Sequence, residues 1–307
     1  MSKATEYWEK RRQLEDLARY KLETDTTKML QEIFPEALKR IQEKILSQAD
    51  LHKMTQAELL ADYNKRDQTK YRKYIDQNYQ DLMNSDEKYQ EFIDEFFPAY
   101  DYAKVNRLLQ IRTDIFSELA SSMIKKDANG KFEQRLEDII NRTYNTNAGP
   151  MAFLTGAELN MLPKSEIQDL LNYPWSGRTF SNRLWGNVSA LEKKLSEAIS
   201  NAVANGDGVR AALISMRSDT EISDMFKKEE KKFDRAIENL VRTEYSHFAV
   251  QGIRKSVSKA GINERQVWTA EDERVCSICG AWHGKTITDE PGPPFHTVCR
   301  CTEIPKM

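Results

Sequence analysis

The sequence predicts a mainly α-helical protein: a multi-helix N-terminal region and a C-terminal helical domain that ends in a small Cys/His-stapled β-hairpin (α+β). Two observations predict this class. Apolar residues recur every three or four positions through most of the chain, which is the periodicity of core-facing helices. All four cysteines and two of the four histidines lie beyond residue 275, where alternating residues and prolines are typical of short strands and loops.

Composition describes a charge-rich chain with no marked charge excess. Lys and Arg (46) nearly balance Asp and Glu (48), and the pI is near 6.2. The overall charge therefore gives no general attraction to nucleic acid. No run of about 18 apolar residues occurs, and the N-terminus lacks the apolar core of a secretory signal. We therefore expect no membrane anchor, and we expect the chain to stay in the cytoplasm in which it is made.

The N-terminal region carries several helix signals. Pro35 marks the start or a kink of a helix, and Thr55 with Glu58 forms a capping box at the start of another. Residues 105–124 read as a further core-facing helix. The helix around Pro35 is predicted from apolar residues near helical spacing: Met29, Ile33, Leu38, Ile41 and Ile45.

Two longer patterns predict the helices of the C-terminal domain. The first places one set of residues on a single apolar face: Leu184, Val188, Leu191, Leu195, Ile199 and Ala202. We expect its charged residues to lie elsewhere: Glu192, Lys193, Lys194 and Glu197. The second pattern, which Gly261 closes, consists of Ile222, Phe226, Phe233, Ile237, Leu240, Val241 and Phe248. The charged run 227–232 inside it is expected to be solvated.

Between these regions lies a stretch that mixes Gly, Pro and Asn with apolar residues. We therefore expect an α-helical N-terminal region over residues 1–145, an irregular connection over 146–180 and a C-terminal domain over 181–307. Ser165 followed by Gln168 is a plausible cap, so one short helix is expected within the connection.

Cysteine and histidine spacing predicts a metal site near the C-terminus. Cys276 and Cys279 form a Cys-x2-Cys pair, and His296, Cys299 and Cys301 follow 16 residues later. In a reducing cytoplasm, close cysteine pairs are more often metal ligands than disulfides. Five donors then compete for the four places of a structural zinc ion. The alternatives are thiols that stay reduced or become oxidised in an extracellular particle, and a catalytic metal with an open position.

The residues around the cysteines predict a hairpin. Residues 265–270 alternate in strand-like fashion, residues 276–280 turn, and a second strand follows Gly284. The prolines at 291, 293 and 294 cannot continue a central ladder, so we expect an extended loop that returns His296 and Cys299 to the first pair. A hairpin this small buries little apolar area, which gives a structural reason for a metal or a crosslink.

Three segments in order, "VRTEYSHFAVQG", "GINERQVWTAEDERVCSICGAWHGKTI" and "PGPPFHTVCRC", carry a family resemblance. Over roughly residues 180–303 the chain resembles the C-terminal domain of phage Mu F-like minor head proteins, also called phage head morphogenesis proteins. The matching residues are Arg242, Thr243, Glu244, Trp268, Cys276, Cys279, Pro294, His296, Cys299, Arg300 and Cys301. The combination in this order is specific, whereas each part alone is weak.

The resemblance implies a role in a tailed-phage head. It implies a minor virion protein at the portal vertex, with the portal protein, the major capsid protein or a scaffolding protein as partners during procapsid assembly. It also implies an influence on the packaged DNA during ejection. The expected localisation is the host cytoplasm during assembly and then the virion head. The N-terminal half resembles the variable portion of such proteins and carries no matching motif.

Single residues near the motif leave alternatives open. Arg242 and Glu244 either hold their helix to the hairpin or are solvated helix charges. Arg300 could contact DNA phosphate or the portal, but an acidic residue of a neighbouring helix is the expected partner. His283 is a further donor candidate that is more simply exposed, and His52 and His247 have no companions in sequence.

The enzymatic alternatives are weaker. The sequence contains no metalloprotease, phosphate-loop, hydrolase or dinucleotide motif of the common types. A metal-dependent nuclease with His296 as base, or a zinc module that binds nucleic acid, is the alternative hypothesis. Residues 251–307 carry eight Lys or Arg against seven Asp or Glu, which is too balanced for strong phosphate attraction. We therefore expect a binding protein and not an enzyme.

Overall fold

The protein is mainly helical, with a small antiparallel sheet near its C-terminus, as the sequence predicts. A computed structural model describes residues 3–48, 54–85, 89–90, 92–93, 105–127, 130–205, 221–269, 275–288 and 291–306. The helices are α1 (Lys3–Gln31), α2 (Ile33–Leu46), α3 (Gln56–Leu60), α4 (Lys65–Asn78), α5 (Gln80–Met83), α6 (Arg107–Lys126), α7 (Lys131–Thr155), α8 (Lys164–Asn172), α9 (Phe180–Ala204), α10 (Glu221–Lys259) and α11 (Ser277–Gly280). The strands are β1 (Arg265–Trp268), β2 (Thr286–Ile287) and β3 (Thr302–Pro305).

The chain forms two compact units, each assembled from separate segments. Unit 1 contains Met1–Lys28, Asn129–Arg183 and Ile237–Met307, and unit 2 contains Met29–Ala128 and Leu184–Ala236. Of the four division points, three fall inside α1, α9 and α10. The sequence-based division into residues 1–145, 146–180 and 181–307 stays a prediction.

Unit 2 is a helical assembly in which the predicted apolar faces are buried. Pro35 lies in the first turn of α2, and the Thr55–Glu58 capping box is formed. The predicted face of α9 is buried along its whole length. Of the α10 pattern, the side chains of Ile222 and Phe226 lie outside the described residues.

Glu192 departs from the prediction for α9, because it is 1% exposed. Arg112 of α6 donates to its carboxylate at 3.0 Å and 3.3 Å, and the Ser196 hydroxyl donates at 2.7 Å. A buried carboxylate is tolerated when it is paired and hydrogen-bonded. The expectation that Glu192 lies away from the core is therefore wrong, and its partner is 80 residues away in sequence.

Unit 1 contains the C-terminal module and the helices around it. One apolar cluster of this unit joins α1, α7, α10 and the sheet through buried residues: Trp8, Met151, Ile253, Val257, Ala260, Trp268 and Ile304. The predicted face of α10 is buried at Ile237, Leu240, Val241 and Phe248. None of the helices in the described ranges combines the length and apolar composition that a membrane span requires.

Helix α7 continues through Pro150, further than the sequence suggests. Proline lacks an amide hydrogen, so the carbonyl of Thr146, four residues earlier, loses its helical donor. The guanidinium of Arg11 on α1 donates to that carbonyl instead. Residues 146–155 are therefore helical, although they were expected to be irregular, while α8 is the short helix expected within the connection. Its N-cap is Pro163 with no side-chain bond, so Ser165 does not cap it.

The sheet has the strand order β2-β1-β3, with both pairs antiparallel. The predicted hairpin is formed by β1 and β2, where Arg265 faces Ile287. The third strand was not predicted. It pairs along the other edge of β1, with Arg265 facing Pro305 and Trp268 facing Thr302.

Gly252 is the point of closest approach between α10 and α7. A Cβ at this position would fall on the Thr143 hydroxyl and on the backbone carbonyl of Ile140. We expect Gly252→Ala to destabilise the protein by about 2 kcal/mol, because overpacking outweighs the gain in helix propensity of about 1 kcal/mol. Urea unfolding measures this difference.

The matched control is Ser258→Ala, at an exposed position of the same helix. It should leave the free energy of unfolding unchanged or slightly raised. Equal effects of the two substitutions would contradict the close packing at Gly252.

Candidate metal centre

The first cysteine pair is positioned by the short helix α11. Cys276 is its N-cap residue, with extended backbone angles, and the Cys276 Sγ accepts a hydrogen bond from the Cys279 amide at 3.4 Å. A side-chain acceptor at the N-cap satisfies one of the amides that a helix start leaves unpaired. Both sulfur atoms are thereby held on the same side of the turn.

The loop after β2 brings the remaining donors to this pair. It contains a cis peptide bond between Pro293 and Pro294, and Val298 has a φ of 63°. The left-handed region is costly for a β-branched residue, and it persists only where the surroundings fix it. Here the Val298 amide donates to the Thr243 hydroxyl of α10 at 3.0 Å. The long helix therefore holds the loop at the residue that precedes Cys299.

The donor atoms lie within metal-binding distance of one another. The His296 Nε2 is 2.9 Å from the Cys279 Sγ and 3.2 Å from the Cys276 Sγ. The sulfurs of Cys279 and Cys299 are 3.7 Å apart, and those of Cys279, Cys299 and Cys301 all lie within 4.8 Å. Tetrahedral zinc with Zn–S bonds of 2.3 Å separates two sulfurs by about 3.8 Å. This cluster could hold a metal ion.

His296 presents the correct nitrogen for this role. Its Nδ1 lies 2.7 Å from the backbone carbonyl oxygen of Thr297, to which the Nδ1–H donates. Metal-bound histidines commonly donate their second ring N–H to a carbonyl or carboxylate, which fixes the tautomer. In that tautomer the Nε2 lone pair faces the sulfurs.

Protons are unevenly distributed over the thiols. The Cys301 S–H donates to Cys299 and lowers the pKa of Cys299 to about 5, and the same hydrogen bond raises the pKa of Cys301. Burial raises the pKa of Cys279 to about 12, whereas the hydrogen bond from the Cys279 amide lowers the pKa of Cys276. A divalent cation stabilises thiolates together, because it supplies the positive charge that the cluster needs.

Apolar residues close the cluster. Cys279, Cys299 and Cys301 are buried, and Val275 and Phe295 pack against them. The Phe295 ring stacks on Trp282 with ring centroids 5.2 Å apart. Structural zinc sites are enclosed in this way, whereas catalytic sites keep one position open to water or substrate.

A buried ion pair attaches the sheet beneath the cluster to α10. Glu303 of β3 is fully buried, and Arg254 donates to it with Nε at 3.1 Å. Arg265 of β1 forms a second ion pair with Glu303 at 2.8 Å. A Cβ on Gly292 would collide with Glu303 and Arg254, so only glycine fits where the loop crosses this pair. The spacing of these residues in the sequence does not indicate that Glu303 pairs with Arg254 and Arg265.

Of the two charged residues of the Arg-Thr-Glu motif, Glu244 takes a role that differs from both alternatives, whereas Arg242 is a partly exposed charge paired within its own helix. Glu244 is fully buried and bonds neither solvent nor hairpin. Trp175 Nε1 donates to it at 3.2 Å, and Arg183 forms an ion pair at 2.6 Å. Burial raises the pKa of the Glu244 carboxyl, which Arg183 and Trp175 partly oppose. Arg242 forms an ion pair with Glu238 one turn earlier in α10.

Arg300 and Arg242 line a cavity of ≈ 410 Å³ between the cysteine loop and α1. Glu23 of α1 also lines it. Burial raises the pKa of Glu23, and the charges of Arg19, Arg242 and Arg300 lower it. Glu23 is therefore a candidate for the acidic partner expected for Arg300, and that pairing stays a prediction. No DNA contact follows from this geometry.

Two of the other histidines, His283 and His247, lie outside the donor cluster. His283 is half-buried, with its Nδ1 2.9 Å from the Thr269 hydroxyl, so the expectation that it is exposed is wrong. His247 is buried and stacks on Trp175 at a centroid distance of 4.1 Å. His52 lies outside the described residues. The predicted set of five donors is thus brought together, and His283 is not part of it.

Comparisons with protein-family models, with curated proteins and with solved structures each found no match. The function of this chain must therefore be inferred from its own residues and their geometry.

His247 predicts a measurable pH dependence of stability. Burial, followed by the charges of Arg254 and Arg183, lowers its pKa to about 3. The unfolded chain binds this proton near pH 6.5, so the stabilisation is complete above that pH and is lost as pH falls toward the folded pKa. Between pH 7 and pH 4.5 we expect a loss on the order of 2 kcal/mol from this group.

His247→Phe keeps an aromatic ring against Trp175 and removes the titratable imidazole. Urea unfolding at both pH values should show a smaller loss for the variant than for the wild type. The metal ligands are the same in both proteins, so their acid sensitivity cancels in the comparison. Equal losses would show that His247 is not held neutral by burial.

Proposed function

We propose that this chain is a minor structural protein of a tailed-phage head, which binds the portal or the inner capsid during procapsid assembly. The family resemblance of residues 180–303 supplies the role. Contacts within the resembling region support it, because Thr243 accepts from the Val298 amide and the cysteines converge with His296. Its chemistry is binding, in the host cytoplasm during assembly and then in the virion head.

The observation that carries this proposal is the closed donor cluster. Three of its cysteines are buried with Val275 and Phe295 packed against them, and the sulfur atoms and the imidazole lie close together. A metal enclosed in this way organises a segment that is too small to fold on its own hydrophobic core. The cluster therefore fits a scaffold that presents a docking surface better than it fits a reaction centre.

Zinc is the metal that the donors fit best. Thiolate and imidazole donors at tetrahedral spacing suit Zn²⁺, and the bound ion would hold α11 and the loop in one geometry. We assign Cys276, Cys279, His296 and Cys299 as ligands. Cys301 then acts as the thiol that donates a hydrogen bond to Cys299, the arrangement that the direction of both pKa shifts favours.

The ligand assignment has a direct test. Elemental analysis of the purified protein is expected to give about one zinc per chain, with thiols that react only after a chelator is added. Cys299→Ser should lower metal affinity by more than about 100-fold, whereas Cys301→Ser should retain the metal with affinity reduced by about 10-fold. The reverse order would make Cys301 the ligand in place of Cys299.

Removal of the first pair tests the structural role. Cys276→Ser/Cys279→Ser should unfold the module locally, keep the helical circular-dichroism signal and reduce incorporation into heads. Normal incorporation with unchanged melting would contradict a structural metal. Freely reactive thiols without metal in the wild-type protein would do the same.

The partner is tested by capture with purified portal protein. We expect capture of the wild-type chain with modest salt sensitivity, and loss of capture in the double cysteine variant. The alternative is a nucleic-acid-binding module or nuclease. Phosphate-dominated binding with six or more contacts would weaken by about 10³-fold or more between 50 and 200 mM salt. Metal-dependent DNA cleavage that disappears in His296→Ala would favour the nuclease and contradict the proposal.

A further inference from the structure

Helix α4 of unit 2 carries a concentrated basic face. Its 14 residues include five basic and two acidic ones, although the whole chain has a formal net charge of −2. The five basic side chains are all exposed: Lys65, Arg66, Lys70, Arg72 and Lys73. At about 100° per residue they fall within an arc of about 160°, and the buried Tyr71 lies opposite the middle of that arc. Of the two acidic residues, Asp76 lies within the arc, and Asp67 pairs with Lys70 at 3.3 Å.

The opposite side of α4 is fixed on α6. The Tyr71 and Thr113 hydroxyls are 2.9 Å apart, and the Tyr74 hydroxyl donates to the Asp114 carboxylate at 2.6 Å. Ile75 is fully buried on the same side. These contacts hold the helix in one rotation, so the basic face points away from α6.

Three of the cations have no partner within the described part of the chain. The side chains of Lys65, Arg66 and Lys73 form no ion pair or hydrogen bond there. Lys65 and Arg66 also occupy the first turn of α4, directly after the N-cap Asn64. Cations are disfavoured at this end, because the helix macrodipole is positive there. Residues that break a local rule without a compensating contact point to a function, and a bound anion would remove this repulsion.

The composition of the face distinguishes between classes of partner. The exposed positions of α4 hold no apolar side chain. Protein interfaces have an apolar core and are depleted in lysine. Single-stranded nucleic acid is bound by stacking on aromatic side chains, whereas Tyr71 and Tyr74 are bonded to α6. The backbone of a nucleic-acid duplex is bound by Lys and Arg alone, so it fits this face best.

We propose that the basic face of α4 binds the phosphate backbone of duplex DNA without reading its sequence. From Lys65 to Lys73 the face is about 12 Å long, and B-DNA carries about seven phosphate charges over that length of its axis. The duplex therefore offers enough charges for all five cations. Helix α4 belongs to unit 2 and the metal centre to unit 1, so this inference goes beyond the proposed head-protein function. It also differs from the alternative in which the C-terminal module binds nucleic acid.

Fluorescence anisotropy of the full chain with a short labelled duplex of mixed sequence measures the binding. If all five cations contact phosphates, the logarithm of the association constant falls with the logarithm of salt concentration with a slope of about −4.5. A duplex of a different sequence should bind equally well. A chelator should change neither the affinity nor the slope, because the C-terminal donors take no part.

The variant Lys65→Gln/Arg66→Gln/Lys73→Gln removes the three cations that lack partners. Its slope should fall to about −1.8, and its affinity at low salt should be at least about 30-fold weaker. Its melting temperature should be unchanged or higher, since two cations leave the helix start. A purely structural role of these residues would not change the salt slope. Portal capture should be unaffected.

A matched control removes the same charge from another helix. Lys227→Gln/Lys228→Gln/Lys231→Gln neutralises three exposed lysines of α10, where Glu229 and Glu230 lie between them. This variant has the same net charge as the α4 variant. It should keep the wild-type slope, because its lysines do not form part of the basic face.

Four outcomes would overturn the proposal. The wild-type chain does not bind duplex DNA at low salt, the α4 variant keeps the wild-type slope, the two triple variants lose the same affinity, or a single strand or polyglutamate binds more tightly than the duplex. Portal capture is a separate measurement, so the DNA contact and the head-protein function can fail independently.

Discussion

Glu303 is fully buried between the guanidinium groups of Arg254 and Arg265, and the C-terminal module depends on this ion pair. It adds a polar contact between three elements that also share an apolar cluster: helix α10, the central strand β1 and the last strand β3. Removing one partner of such a group leaves a buried charge uncompensated, which costs about 3–5 kcal/mol. The pair also explains why the loop crosses at Gly292, where a side chain would displace it.

The cysteine cluster and the ion pair stabilise different parts of the C-terminal module. The ion pair fixes the sheet, whereas the donors fix α11 and the proline-rich loop, which have no ladder of their own. Thr243 connects the two, because its hydroxyl accepts from the Val298 amide and so holds the residue before Cys299. If these donors bind a metal, its loss is expected to loosen the loop first, while the ion pair keeps the sheet attached to α10.

Apolar periodicity predicted the helices, and the spacing of cysteines and histidines predicted the five donors. Both signals are local in sequence. The apolar faces of α2, α9 and α10 repeat at the helical period, and Cys276 with Cys279 has the spacing of a metal knuckle. What these signals missed depends on distant partners. Glu192 is buried because Arg112 reaches it from another helix. The strand β3 forms because its four residues, Thr302–Pro305, pair with the second edge of β1. No local pattern contains this information.

Helix α1 is the case in which local pattern and tertiary structure disagree most. Its charges are inside because Arg11 replaces the donor that Pro150 removes from α7, and because Glu15 meets Asn147 on the same helix. Each of these partners belongs to α7, so the orientation of α1 is set by the polar requirements of its neighbour.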